Sequence, residues 1–219
     1  MRRQSLGPFG VIRWGLLIFW GACMFKTALL IDGGHLRVCA KKAGKNYDNQ
    51  FIEDFGRACF SVDEYLYRIF YYDSPQYRGK VTLPVSGNQT SFQSSDKWLR
   101  DLATLERFAV RQGTLGFRGW KPKNTPIAGN ALTDADFVPV FEQKGVDMRI
   151  GLDIATFSER GSVDRILLVS ADTDMIPAMK HARKSGIEVG LIQLPVPPAL
   201  ALHDTLKAHA DFVRHIGWP

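Results

Sequence analysis

Ile166-Leu167-Leu168-Val169-Ser170-Ala171-Asp172-Thr173-Asp174 decides how this chain is read. The short, unbroken apolar run fits a strand buried on both faces, and it delivers two carboxylates to the start of a helical pattern. Asp32 ends a similar run, Ala28-Leu29-Leu30-Ile31, and Asp147 closes Lys144-Gly145-Val146-Asp147 just ahead of an amphipathic stretch. In an open parallel sheet, ligands bind beyond the carboxyl ends of the strands, so acids that end separate strands can meet there. Carboxylates gathered in one place repel one another, and a hard divalent cation, Mg²⁺ or Mn²⁺, keeps them ionised. The pattern predicts a metal-dependent enzyme that acts on phosphate esters.

Outward from these runs, apolar strands alternate with helical patterns, which predicts an α/β fold with a parallel sheet. Helices are expected over His35–Lys42 and Asn49–Phe60, and a strand over Tyr65–Tyr72, stopped by Pro75. Ser74 to Ser95 reads as a long polar loop. Ser95-Asp96 then caps a helix with Trp98, Leu102, Leu105 and Ala109 on one face. Thr114–Trp120 is expected to be the third strand, followed by a loop from Lys121 to about Asp136. Asp147 begins a helix carrying Ile150, Ile154 and Phe157 and ending near Gly161. Strand Val163–Ser170, helix Asp172–Ser185, strand Ile187–Leu194 and a last helix from about Ala199 to His209 complete the chain, before a short tail.

A chain of 219 residues that is 45% hydrophobic can bury one full core, so one domain is expected. Its formal charge is +6, but Arg2, Arg3 and Arg13 carry three of those charges, and the remainder permits nucleic-acid binding without demanding it. The three cysteines form no CxxC pair, and His203, His209 and His215 fit no zinc spacing, which points to a reducing compartment and no structural zinc. Arg2-Arg3 ahead of the apolar run Trp14 to Phe25 has the outline of a signal peptide, and the run is too short to span a bilayer stably. Met24-Phe25-Lys26-Thr27, however, is a natural opening for a cytosolic α/β domain. Residues 1–23 are therefore expected to be a dispensable leader or over-extended start, and the protein cytoplasmic. Export is the alternative if residues 1–23 act as a signal.

Each acid also has a plainer explanation. Asp32, Asp147 and one of Asp172 and Asp174 could simply cap helices or complement their dipoles, worth roughly 0.3–1 kcal/mol apiece near a helix start. Asp153 lies about 240° round the helix from Asp147, so it is expected to be a supporting or structural acid. The glycines of Asp32-Gly33-Gly34-His35 allow a tight turn and the close approach of a phosphate or metal, while His35 is expected to pack quietly.

In combination, Ile31-Asp32-Gly33-Gly34-His35-Leu36, Lys144-Gly145-Val146-Asp147 with Asp153, and Leu168-Val169-Ser170-Ala171-Asp172-Thr173-Asp174-Met175-Ile176-Pro177 resemble the NYN domain of the PIN-like nuclease superfamily, in its bacterial LabA-like branch. The resemblance spans roughly residues 25–194, within a domain placed at residues 24–219. It implies a three-layer α/β/α sandwich around a central, mostly parallel sheet, and an Mg²⁺- or Mn²⁺-dependent ribonuclease. By that likeness Asp32, Asp147, Asp172 and Asp174 form the catalytic, metal-holding cluster, with Ser170 lining it and Asp153, Gly33 and His35 in support. Family members commonly carry Asn where this chain has His35.

Arg78 and Lys80 in the first long loop, and Arg118, Lys121 and Lys123 at the end of the third strand, are expected on the same edge as the acids. Together with Tyr77 and Trp120 they could hold single-stranded or structured RNA. A haloacid-dehalogenase-like phosphatase ranks lower, because Gly34 stands where that class needs a second Asp. A non-catalytic RNA-binding or protein-interaction module on the same fold is the other alternative. The oligomeric state is left open, a homo-oligomer included.

Overall fold

The computed structural model describes residues 24–126 and 131–219; the expected leader, residues 1–23, lies outside them. In chain order the elements are β1 (Phe25–Asp32), α1 (Gly33–Lys42), α2 (Asn49–Ala58), β2 (Glu64–Asp73), β3 (Gly79–Thr82), β4 (Gln89–Phe92) and α3 (Lys97–Ala103). Then follow β5 (Phe108–Gln112), β6 (Thr114–Pro122), β7 (Phe137–Lys144), α4 (Val146–Arg160), β8 (Arg165–Val169), α5 (Ile176–Lys184), β9 (Glu188–Gln193), α6 (Asp204–Lys207) and β10 (Phe212–His215).

Six strands form one sheet in the order β10-β9-β8-β1-β2-β5, with every neighbouring pair parallel. Because side chains alternate across a strand, the unbroken apolar runs feed two cores. Ala28 and Leu30 of β1 and Ile166 and Leu168 of β8 pack with Ile150, Ile154 and Phe157 of α4 and Met179 of α5. Leu29 and Ile31, with Leu167 and Val169, face the other way onto Leu36 of α1, Ile52 and Phe55 of α2, and Leu99 and Leu102 of α3. The result is the three-layer α/β/α sandwich. Among the described residues no helix is long and apolar enough to cross a membrane.

Four expectations from the sequence need correction. The polar loop Ser74–Ser95 contains the antiparallel hairpin β3–β4, whose strands are too short and polar to announce themselves. The helix begun near Ser95 ends at Ala103; Arg107 adopts a positive φ of 65°, and Ala109 lies instead on β5, beside β2. Strand Thr114–Trp120 leaves the parallel sheet and pairs antiparallel with β7, which the sequence did not reveal, over Thr114↔Lys144 to Pro122↔Phe137. The last helix is reduced to a single turn at Pro198–Leu200 and the four-residue α6, and the supposed tail supplies β10.

The two hairpins form an arm with its own aromatic core. Tyr77 and Phe141 have ring centroids 5.6 Å apart, Phe92 and Phe141 5.3 Å, and Phe117 and Trp120 5.6 Å. Trp120 Nε1 also donates to the Thr82 carbonyl at 2.8 Å, tying one hairpin to the other.

At the opposite, amino-terminal edge, Glu64 holds four strands together. Arg165 Nη1 donates to Glu64 Oε1 at 2.7 Å and Arg214 Nη1 to Oε2 at 2.8 Å, while Arg165 Nε reaches Glu188 Oε2 at 2.6 Å. Removing the central anion leaves two guanidinium groups without it, one of them buried, and breaking such a pair costs about 3–5 kcal/mol. Glu64→Ala should therefore lower the free energy of unfolding by about that much in urea titration. A loss under about 1 kcal/mol would show that the network is not structural.

Candidate functional site

The site grows from adjacent strands. β1 and β8 pair in parallel with Ile31 opposite Val169, so Asp32 and Asp172 leave the sheet on the same edge. Asp32 Oδ1 accepts from the His35 backbone N–H at 3.1 Å, capping α1. Asp172 caps the next turn: its Oδ1 accepts from the Asp174 N–H at 2.8 Å, and its own N–H donates to Ser170 Oγ at 3.1 Å. Ser170 is buried and fixes the bend. Asp147 arrives from a third direction, in the first turn of α4, after Gly145 takes a left-handed φ of 78° to turn the chain out of β7.

These elements enclose a cleft of about 340 Å³ lined by Asp32, Gly34, His35, Val38, Gln143, Val146, Asp147 and Asp172. Burial drives the Asp32 carboxyl from its ordinary 3.8 up to about 6, and the negative charges of Asp147 and Asp73 push the same way. Burial also raises Asp147, with Asp172 and Asp174 adding repulsion. Burial lowers the pKa of His35, so its ring is neutral at pH 7.

The remaining sequence candidates are placed as follows. Asp174 is exposed and does not line the cleft; it acts on the site through its charge. Asp153 is engaged elsewhere, accepting from the Tyr72 hydroxyl at 2.8 Å and Arg111 Nε at 3.0 Å. Gly33 is buried and serves packing rather than ligand approach: a Cβ there would overlap the Tyr71 hydroxyl and lie 2.9 Å from Asp73 Oδ2. Arg78 and Lys80 sit at the β3 hairpin, and Arg118 is paired with Glu142. Lys121 and Lys123 lie toward the far end of the arm; Lys121 is seven steps along β6 from the arm's base at Thr114, roughly 24 Å. None of these cations lines the cleft itself.

Two neighbours of the acids were missed. Asp73 ends β2 as Asp32 ends β1, a strand-terminal acid the same reasoning could have found. It is 1% exposed, paired with Arg37, and accepts from the Tyr71 hydroxyl at 3.1 Å. Gln143 carries no chemical signature in the sequence, and its strand was itself unassigned.

The hard, anionic oxygens of Asp32, Asp147 and Asp172 fit Mg²⁺ or Mn²⁺ in kind and charge, and the raised carboxyls are those a cation would relieve. They stand apart, however: among the described residues no group of three or more His, Cys, Asp or Glu side chains converges closely enough to hold an ion.

A parallel α/β/α sandwich with acids at its carboxyl edge is an architecture that several classes of enzyme share. The chain belongs to the NYN domain family, which matches residues 26–214, and such domains are members of the PIN-like nuclease superfamily. Its fold is also similar to the crystal structure of a protein of unknown function from Vibrio parahaemolyticus. The TM-score is 0.51 at 19% identity, covering 89% of this chain and 94% of that one. No curated protein matches the chain.

Asp32 makes the cleft sensitive to pH. Its carboxyl binds a proton more tightly folded, near 6, than unfolded, near 3.8, so its own contribution to stability is greatest below 3.8 and is lost as pH rises through 6. Asn keeps the cap and removes the charge. Asp32→Asn should leave stability unchanged near pH 4 and raise it by about 2–3 kcal/mol at pH 8, read by denaturant unfolding at both pH values. A loss at pH 8 would contradict the reading.

Proposed function

We propose that this protein is a ribonuclease that hydrolyses phosphodiester bonds of single-stranded or structured RNA with the help of Mg²⁺ or Mn²⁺. The observation that carries the reading is the cleft itself, lined by carboxylates from β1, α4 and the turn after β8, where burial raises Asp32 and Asp147 and neighbouring acids push the same way. Asp32, Asp147 and Asp172 would hold the cation, with Asp174 adding charge. Such an ion supplies a water of lowered pKa and stabilises charge on the leaving oxygen.

The chain's own residues organise the rest. Backbone bonds to Asp32 and Asp172 hold their carboxylates at the cleft, and Ser170 sets the turn that presents Asp172. Neutral His35 lines the wall without adding charge. Cys39, the nearby thiol, is buried and its pKa is raised, so it is a poor nucleophile. Water is then the attacking group. We also propose, from the resemblance of its motifs, that the chain falls in the LabA-like branch, that residues 1–23 are dispensable and that the protein is cytoplasmic.

The separation of the carboxylates favours one rival, an RNA-binding module that does not cut. Purified wild type should cleave labelled single-stranded or hairpin RNAs with Mn²⁺ or Mg²⁺ and stop with chelator. Asp172→Asn should cut at least about 100-fold more slowly while melting no lower, since Asn caps as well as Asp. Cleavage that ignores the chelator or survives the substitution would defeat the mechanism, and binding without cleavage across diverse RNAs would favour the rival.

A further inference from the structure

A larger cavity, of about 890 Å³, opens beside the acidic cleft and shares Gln143 with it. Its walls come from α1, the starts of α2 and α3, the segment leaving β2, and the base of the arm. The volume lies in the range of small-molecule sites. None of the acids assigned to the cleft contributes to it.

Three features define what would fit. The first is aromatic surface already held in place. Tyr47 and Trp98 line the cavity, and the Trp98 ring meets Tyr71 edge-on, with centroids 6.1 Å apart and planes at 82°. Asn49 Nδ2 donates to the Trp98 carbonyl at 2.9 Å, and the Tyr47 and Tyr71 hydroxyls are 2.7 Å apart. An aromatic ring fixed in this way stacks on a base without further ordering cost.

The second feature is unmet hydrogen bonding. Ser74 Oγ and Gln143 Nε2 are buried in residues that line the cavity, and neither has a partner among the described residues. Each such group costs about 1–3 kcal/mol. Turning the Ser74 hydroxyl or the Gln143 amide outward onto a ligand would recover that cost. The Gln143 amide also borders the cleft: a Cβ on Gly34 would lie 3.3 Å from Gln143 Oε1 and 3.2 Å from Asp32 Oδ1.

The third feature is charge balance. Arg37 is neutralised by Asp73 and Lys97 by Asp101, and the third acid, Asp48, is engaged in capping α2, so the interior is no anion trap, while exposed Lys41 offers a cation where a phosphate could pass. Flat stacking surface, amide and hydroxyl groups and one lining cation without an acidic partner among the described residues suit an uncharged heterocycle attached to a phosphate.

We propose that this cavity is a nucleobase subsite, taking one unpaired base of an RNA strand whose adjoining phosphate lies over the acidic cleft. Trp98 supplies the stacking face, Gln143 and Ser74 the base-edge hydrogen bonds, and Lys41 contacts the neighbouring phosphate. The position of that phosphate rests on the ribonuclease reading, whereas base binding does not.

The test measures binding with cleavage disabled. Fluorescence anisotropy in chelator at low salt would give the affinity of the full-length protein for labelled eight-nucleotide single strands of U, A, C or G. Wild type should favour one base over another by at least about 3-fold. Trp98→Ala should weaken binding by about 10-fold, the lower part of the range for one stacked base. Gln143→Leu should flatten the base preference with less loss of affinity. Melting curves would confirm that both variants are folded at the assay temperature, and Gln143→Leu, on the rim of the core, keeps the test decisive should Trp98→Ala not fold. Base-selective binding that depends on these residues would support the subsite even in a protein that never cuts RNA. Failure to bind, or folded variants that bind all four strands as wild type does, would overturn it even if RNA is cleaved elsewhere on the protein.

Discussion

The parallel pairing of β1 with β8 is the constraint on which the site depends. Parallel strands expose all their carboxyl ends on one edge, and this register sets Ile31 against Val169. Asp32 and Asp172 then both leave the sheet on the same edge, and α4, packed on the same sheet, adds Asp147. Asp32 is buried there, which raises its carboxyl to about 6, and the charges of Asp147 and Asp73 add to the shift. The stability that tolerates this comes from elsewhere: two apolar cores, and the Glu64 network at the far edge, where opposite charges meet.

The ground beneath the cleft is equally constrained. Gly33 lies so close to Tyr71 and Asp73 that no side chain fits, so α1 starts directly over that pair. Asp73 is satisfied by Arg37, the Tyr71 hydroxyl and the Ser74 N–H, which keeps a nearly buried anion from adding to the repulsion unscreened. This paired group forms the boundary between the acidic cleft on one side and the balanced cavity on the other, with Gln143 common to both. A phosphate and its base differ in just this way, one needing a countercharge and the other a flat surface with a few hydrogen bonds.

What the sequence made legible follows from burial. β1, β8 and β9 were readable because both faces are covered, leaving unbroken apolar runs, and α4 and α5 because one face of each repeats at helical spacing. Asp32, Asp147 and Asp172 could be proposed because each ends or begins such an element. The arm was not legible: β3 and β4 are short and polar, Pro139 sits within β7, and both hairpins gain their order from aromatic contacts between segments distant in sequence. β10 has four residues and depends on β9 for its pairing. Arg118, Lys121 and Lys123 were placed from the sequence without sight of the arm that carries them. Gln143 could not be read because an amide acquires its role only from what surrounds it.

The central claim is that the acids of this cleft form one coupled group whose repulsion a divalent cation relieves. Titration of the Asp32 side-chain carboxyl by carbon NMR, with and without Mg²⁺, tests it most directly. The account predicts a midpoint near 6 in metal-free protein, falling below the ordinary 3.8 when Mg²⁺ is present. A midpoint near 3.8 that does not respond to Mg²⁺ would contradict it.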